Sequence, residues 1–210
     1  MSQDERRAKR AGKVVLQLYR ERETFVADAA KRMGVMCSEG CAHCCMMPAT
    51  ATVPEMVPVV QHLASRPDWD KQRPALEKKL ARQLAEFEGV NVLDENERVA
   101  FFRRQLPCAF LTPQKRCGIY AVRPTVCRYH MVVSAPENCA HGAQDENVVM
   151  VDLSKLEREV AVEAAREFGE LTGGPLALAF VLAAKLLGVK LDVDPGLLRR
   201  VAKVRVRMPA

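Results

Sequence analysis

The feature that most constrains this chain is its set of eight cysteines, all of which fall between residues 37 and 139. Four lie in the short segment Cys37-Ser-Glu-Gly-Cys41-Ala-His-Cys44-Cys45, and the others are Cys108, Cys117, Cys127 and Cys139. The N-terminus is charged and lacks the apolar stretch of a secretory signal, so we expect a cytoplasmic protein, where disulfides rarely persist. Clustered thiolates in that compartment are typical of a metal site, because thiolate is a soft ligand. The sequence therefore predicts a fold organised in part around bound metal.

The remainder of the chain has the pattern of a mainly α protein. Of its 210 residues 49% are apolar, which is enough to form a hydrophobic core. Apolar residues at three- and four-residue steps predict a long amphipathic helix over 4–33, ended by Gly34. Thr52-Val-Pro-Glu55 matches a capping box and predicts a helix from there to about Ala64. Further predicted elements are helices at about 74–88, 94–106, 155–171, 176–187 and from 195 onward, a short strand at 148–153 and a turn at 173–175.

The segment 107–142 differs from its surroundings, because proline and glycine interrupt it at short intervals and no helical period survives. It carries four of the cysteines, and a metal can hold together a segment that has little apolar surface of its own. We therefore predict a helical domain with an irregular, metal-nucleated cysteine loop region. Three parts are expected: an N-terminal amphipathic helix at 1–34, a cysteine-cluster metal-binding domain at 35–142, and a C-terminal helical extension at 143–210.

Charge and hydropathy make two classes of partner poor candidates. The net charge is +6 and is concentrated at the two ends of the chain. No stacking aromatics or nucleic-acid motif accompany those charges, so nucleic-acid binding is not expected. The longest purely apolar run, 175–184, is too short to span a bilayer, so no membrane association is expected either. The remaining partners are a protein or a substrate that the sequence does not identify.

The spacing of the first four cysteines bears on how they bind metal. Cys37, Cys41 and Cys44 come from one loop and can converge on a single centre. Side chains of adjacent residues diverge, so Cys45 is better placed at a second centre, or beside the first as a free thiol. All the candidate ligands are thiolates, and one loop supplies three of them. This pattern is typical of an iron–sulfur cluster, most naturally a [4Fe–4S] cluster. Zinc also suits it, because eight thiolates could fill two tetrahedral sites.

Three further motifs accompany the cysteines: Pro107-Cys108-Ala-Phe110-Leu111, Cys117-Gly-Ile119-Tyr120 and Arg123-Pro124-Thr-Val-Cys127-Arg128. Together with the first cluster they closely resemble the YkgJ-type cysteine-cluster family, which is described as a zinc- or iron-chelating domain. The resemblance covers roughly residues 35–140. It implies that all eight cysteines are candidate ligands and leaves the metal open.

Several neighbours of the cysteines have a possible role. His43, His130 and His141 lie close to cysteines in the sequence and could replace or support a thiolate. Arg123 and Arg128 flank Cys127 and are predicted to offset the negative charge of a thiolate-bound cofactor. For Arg123 the alternative is binding of an anionic substrate.

Three functions remain open from the sequence. The favoured one is an iron–sulfur centre with a redox or catalytic role. The second is a zinc-stabilised binding module with a closed structural site and no catalysis. The third is metal trafficking or storage.

Overall fold

The computed structural model describes residues 1–38, 40–141, 146–201 and 204–207. It begins with helix α1, Gln3–Met33, in which Ser2 caps the first turn by accepting a hydrogen bond from the Glu5 backbone N–H at 3.1 Å. Gly34 ends the helix in the left-handed conformation, with φ at 68°. A residue with a side chain is strained there, so glycine sets the point at which the chain turns away toward the first cysteines.

The predicted capping box is confirmed. At the start of helix α2, Val53–Ala64, the Thr52 hydroxyl accepts a hydrogen bond from the Glu55 backbone N–H, and the Glu55 carboxylate accepts one from the Thr52 backbone N–H. Most of α2 is buried, and it packs against α1 and against the apolar helix α7, Leu176–Leu186. Helix α6, Ser154–Phe168, packs against α1, where Val160 and Ala164 join Val15 and Tyr19 in a second, smaller core cluster. Helices α1, α2 and α7 contribute to the main core, and α7 is buried along most of its length, as its near-continuous apolar sequence requires.

Two more helices cover one side of that core. Helix α3, Trp69–Glu86, contacts α7, and helix α4, Glu95–Phe102, follows after a loop. The rings of Phe87 and Phe101 stack with centroids 4.1 Å apart and so fix the loop between the two helices. Helix α3 begins at Trp69, earlier than the predicted 74–88, although Pro74 within it has no backbone N–H and removes one intrahelical hydrogen bond.

The strands that lie in the described ranges form one antiparallel sheet in the order β1, β2, β3. They are β1 at Thr50–Thr52, β2 at Glu170–Pro175 and β3 at Val204–Arg207. The turn predicted at 173–175 is therefore wrong. A Cβ at Gly173 would lie 2.5 Å from the Ala51 carbonyl oxygen, so glycine here permits close strand pairing. The strand predicted at 148–153 is also wrong, since only an isolated bridge between Val132 and Met150 forms there.

The cysteine region consists of loops with short turns of helix, and the predicted mainly α fold with an irregular cysteine region is confirmed. The short elements of this region are 3₁₀ turns at His43–Met46, Tyr120–Val122 and Pro136–His141 and helix α5 at Thr125–Arg128. Outside the region, the short helix α8 lies at Pro195–Arg200. The main core includes residues from all three predicted parts of the chain, such as Ala8, Phe110 and Leu178. The boundaries of those parts stay a prediction. Within the described part of the chain, no helix combines the length and apolar character needed to cross a membrane.

Candidate metal centre

The first cysteine is held against the segment that follows α5. After Gly34, the Met36 backbone N–H donates to the Val132 carbonyl oxygen at 2.9 Å. The Val132 N–H in turn donates to the Cys37 sulfur at 3.3 Å. Val132 is buried, so its position is fixed by the packing around it. The contact therefore holds the beginning of the first cysteine loop against the segment that follows Cys127.

A single 3₁₀ turn, His43–Met46, contains Cys44 and Cys45. The Cys45 carbonyl oxygen accepts a 2.7 Å hydrogen bond from the Cys108 backbone N–H. This bond joins cysteines that are far apart in sequence, so the two halves of the set meet through the backbone and not only through side chains.

Cys108 and Cys117 are brought together by a tight turn. Leu111 and Cys117 form an isolated β-bridge, and the Gly118 N–H donates to the Phe110 carbonyl oxygen at 2.8 Å. Arg66, which follows the end of α2, donates a hydrogen bond to the Gly118 carbonyl oxygen at 2.7 Å and so holds this turn in place. The helical core thus supports this pair of cysteines.

These segments surround one cavity of about 210 Å³. Of the residues that the structure describes, seven cysteines line it: Cys37, Cys41, Cys44, Cys45, Cys108, Cys117 and Cys127. Cys139 lies in the neighbouring turn Pro136–His141. Burial raises the pKa of Cys139, and the like charges of the nearby Cys37, Cys41 and Cys44 thiolates raise it further. The structure therefore brings seven predicted ligands to one cavity and places the eighth beside it.

The three histidines are placed differently. His130 lines the cavity, where burial lowers its pKa and favours the neutral ring that a metal ligand requires. His43 shares the turn of Cys44 but is not among the described residues that line the cavity. The side chain of His141 lies outside the described part of the structure.

Burial raises the pKa of most of the thiols. It raises the pKa of Cys108 to about 12 and that of Cys127 well above the usual value. Cys44 differs, because a hydrogen bond from Cys45, and to a lesser degree the charge of Arg123, lowers its pKa to about 7. The same interaction, together with burial, raises the pKa of Cys45. Binding of a metal to the other thiols has to displace their protons.

Arg123 and Arg128 both line the cavity, as their positions beside Cys127 suggested. The Arg123 guanidinium lies 3.8 Å from the centroid of the Tyr120 ring, and that of Arg128 lies 4.4 Å from the Tyr19 ring. The Nε atoms of both arginines are buried and have no hydrogen-bond partner among the described residues. Buried donors without an acceptor are uncommon in proteins. The positive charge of the two arginines beside the thiols suits a cavity that receives an anionic group.

The donor set fits a metal–sulfur centre in its chemistry. All eight cysteines are free thiols, and the cationic residues Arg123 and Arg128 line the same cavity as seven of them. In the described part of the chain, no three His, Cys, Asp or Glu side chains are grouped so that they could hold a metal ion as they stand. The thiols thus line the walls of a cavity and do not converge on one point.

Sequence reasoning missed two buried polar residues at this site. Gln83 of α3 lines the cavity and donates to the Pro107 carbonyl oxygen at 3.2 Å, next to Cys108. The capping box predicts a role for one carboxylate oxygen of Glu55. The other accepts hydrogen bonds from Thr125, at the start of the helix that carries Cys127. No local pattern in the sequence could reveal either contact, because each joins residues far apart in the chain.

Comparison with known families identifies the class of protein. A family profile described as "Putative zinc- or iron-chelating domain" and named for its CxxCxxCC pattern matches residues 36–150, which is more than half of the chain. This chain belongs to that family, in agreement with the resemblance seen in its motifs. Metal binding through cysteines is supported at this level, and the family description covers both predicted metals, zinc and iron. Neither the curated proteins nor the solved structures include a match to the chain.

Proposed function

We propose that the cavity binds a polynuclear iron–sulfur centre through cysteine thiolates, and that this centre has a redox or catalytic role. The observation that carries the proposal is that seven cysteines, drawn from several separate segments, line one cavity. Two independent zinc sites would call for two separate groups of four thiolates. A shared cavity favours a single larger centre, in which several metal ions distribute the ligands among them.

The surroundings of the cavity suit such a centre. Phe87, Ile119 and Leu176 contribute apolar wall, which lowers the local dielectric and limits access of water. Arg123 and Arg128 line the cavity and supply positive charge beside sulfur atoms that would carry negative charge. A bound iron–sulfur cluster would supply electron transfer or a Lewis-acidic iron.

Access to the cavity supports a role beyond structure. Tyr120, which lines it, is 40% exposed, and Gly40 lines it from the first cysteine loop. A partner or substrate could therefore approach the centre from the side of this loop. The identity of that partner or substrate is not part of the proposal.

The test is purification without oxygen, followed by a visible absorption spectrum and analysis of iron, acid-labile sulfide and zinc per chain. A brown protein with iron and labile sulfide in about equal amounts is expected, as in a [4Fe–4S] cluster. A colourless protein with about two zinc ions per chain would contradict the proposal and would identify a zinc-stabilised binding module.

A further inference from the structure

Glu55 is a buried carboxylate with hydrogen-bond donors on both of its oxygens. Its side chain is almost fully buried, at 2% exposure. Oε2 accepts from the Thr52 N–H at 2.9 Å and from the Thr52 hydroxyl at 2.8 Å. Oε1 accepts from the Thr125 N–H at 2.9 Å and from the Thr125 hydroxyl at 2.5 Å, and the Tyr19 hydroxyl lies 3.5 Å away.

The capping box accounts for only one of these two oxygens. Capping of α2 uses Thr52 and Oε2. Oε1 instead reaches across the fold to Thr125, the first residue of α5. A buried charge is costly unless it is hydrogen-bonded, so loss of the hydrogen bonds between Glu55 and Thr125 would be strongly unfavourable.

Helix α5 needs such an external support. It is a single turn, Thr125–Arg128, and one turn of helix is not stable alone. The same turn carries Cys127 and Arg128, both of which line the cysteine cavity. Arg128 also packs over the ring of Tyr19, so α1 and α2 together hold the beginning and the end of α5.

We propose that Glu55 is a positioning residue of the metal centre, whose carboxylate fixes helix α5 so that Cys127 is presented to the cavity. The inference rests on the proposed function, since it assumes that the cavity binds metal. Residues that orient a ligand in this way typically change metal affinity by about 10–100-fold when they are altered. The plainer alternative is that Glu55 serves only to stabilise α2.

Two threonine substitutions separate these roles. Thr125→Val and Thr52→Val each remove one hydroxyl that donates to Glu55, and each leaves the backbone N–H donor of the same residue in place. Only Thr125 lies on the helix that carries Cys127. Removal of the Glu55 carboxylate itself would leave the donors around it unsatisfied in the core and could unfold the protein, so the hydroxyl variants give the cleaner comparison.

The experiment measures how fast protein isolated with its metal loses iron or zinc to excess EDTA, by elemental analysis over time. The expected result is loss at least about 10-fold faster from Thr125→Val than from wild type, with Thr52→Val close to wild type. Thermal unfolding of the metal-free proteins is followed in parallel. Thr52→Val also removes the cap acceptor for the Glu55 N–H, so it should lower that stability at least as much as Thr125→Val does.

Two outcomes overturn the proposal, and they can be told apart. If Thr125→Val and Thr52→Val lose metal at the same rate, Glu55 does not position the centre, although the protein still binds metal. If the wild-type protein contains neither iron nor zinc, the proposed function fails, and the role of Glu55 fails with it.

Discussion

At the scale of single residues, the cysteines do not have equivalent positions. Cys127 lines the cavity and is held by α5, whereas Cys139 lies beside the cavity in a 3₁₀ turn. A thiol that lines the cavity is better placed to reach a bound metal than one outside it. The family resemblance implied eight candidate ligands and was weakest for Cys139, which lies in the least patterned part of the sequence. The cavity lining among the described residues gives the same ranking, because it includes the other seven cysteines and not Cys139.

We predict that Cys127→Ser lowers metal affinity by at least about 10–100-fold, the range seen for residues that merely support a ligand. Cys139→Ser, the matched control, should have a clearly smaller effect. The measurement is metal content per chain after dialysis against a series of chelator concentrations. Equal losses from the two variants would contradict the ranking.

Glu157 gives a prediction about pH. Burial, and then the nearby charges of Glu55 and Asp152, raise the pKa of Glu157 above its usual value of 4.5. The folded protein therefore binds the proton of the Glu157 carboxyl more tightly than the unfolded chain does. The protonated side chain contributes its full stabilisation of the fold below pH 4.5, and this stabilisation is lost as the pH rises through the folded pKa. Glu157→Gln should therefore be more stable than wild type at neutral pH.

The measurement for Glu157 is urea unfolding of both proteins at a series of pH values. The stability difference should shrink toward zero in acid, where the wild-type side chain is protonated. A difference that stays constant with pH would show that burial of charge is not its cause.

At the scale of elements, helices with local signals were predicted well and strands were not. The helix at 4–33 and the capping box at Thr52 are set by nearby residues, namely an amphipathic period, a terminal glycine and a reciprocal cap. The strand at 170–175 contains two glycines, which are typical of turns. Its conformation depends on pairing with β1, a partner distant in the chain.

We predict that Gly173→Ala destabilises the protein by about 1–3 kcal/mol, as expected when an added methyl group has no room. The new Cβ would lie 2.5 Å from the Ala51 carbonyl oxygen and 3.1 Å from Thr52 Cα, and backbone atoms cannot rotate away. Thermal or denaturant unfolding measures the effect. An unchanged midpoint would mean that β1 and β2 can separate at little cost.

At the scale of the whole molecule, the cysteine region and the helical core depend on each other. Phe110 and Ile119 of the region are part of the main core, and Cys108, Cys117 and Cys127 pack against it. Regular secondary structure within 107–141 is limited to short turns. The core therefore fixes part of this region, and we expect bound metal to fix the remainder.

Removal of metal with a chelator should accordingly loosen 107–141 while α2 and α7 stay folded. At a free metal concentration 100 times the Kd, binding stabilises the folded state by about 2.7 kcal/mol. Hydrogen exchange of the metal-bound and metal-free proteins measures this effect segment by segment. Uniform loss of protection throughout the chain would indicate that the core itself depends on the metal.

The sequence by itself determined the class of site and much of the helical structure. Thiol chemistry and cysteine spacing identify a metal-binding protein, and local patterns specify the long helices, because these properties depend on neighbouring residues. Only the tertiary structure decided which cysteines share a cavity, that Arg123 and Arg128 line it, and that Glu55 binds the start of α5. Such contacts join residues far apart in the chain, as between Cys37 and Val132, which are 95 positions apart, and no local pattern encodes such a distance.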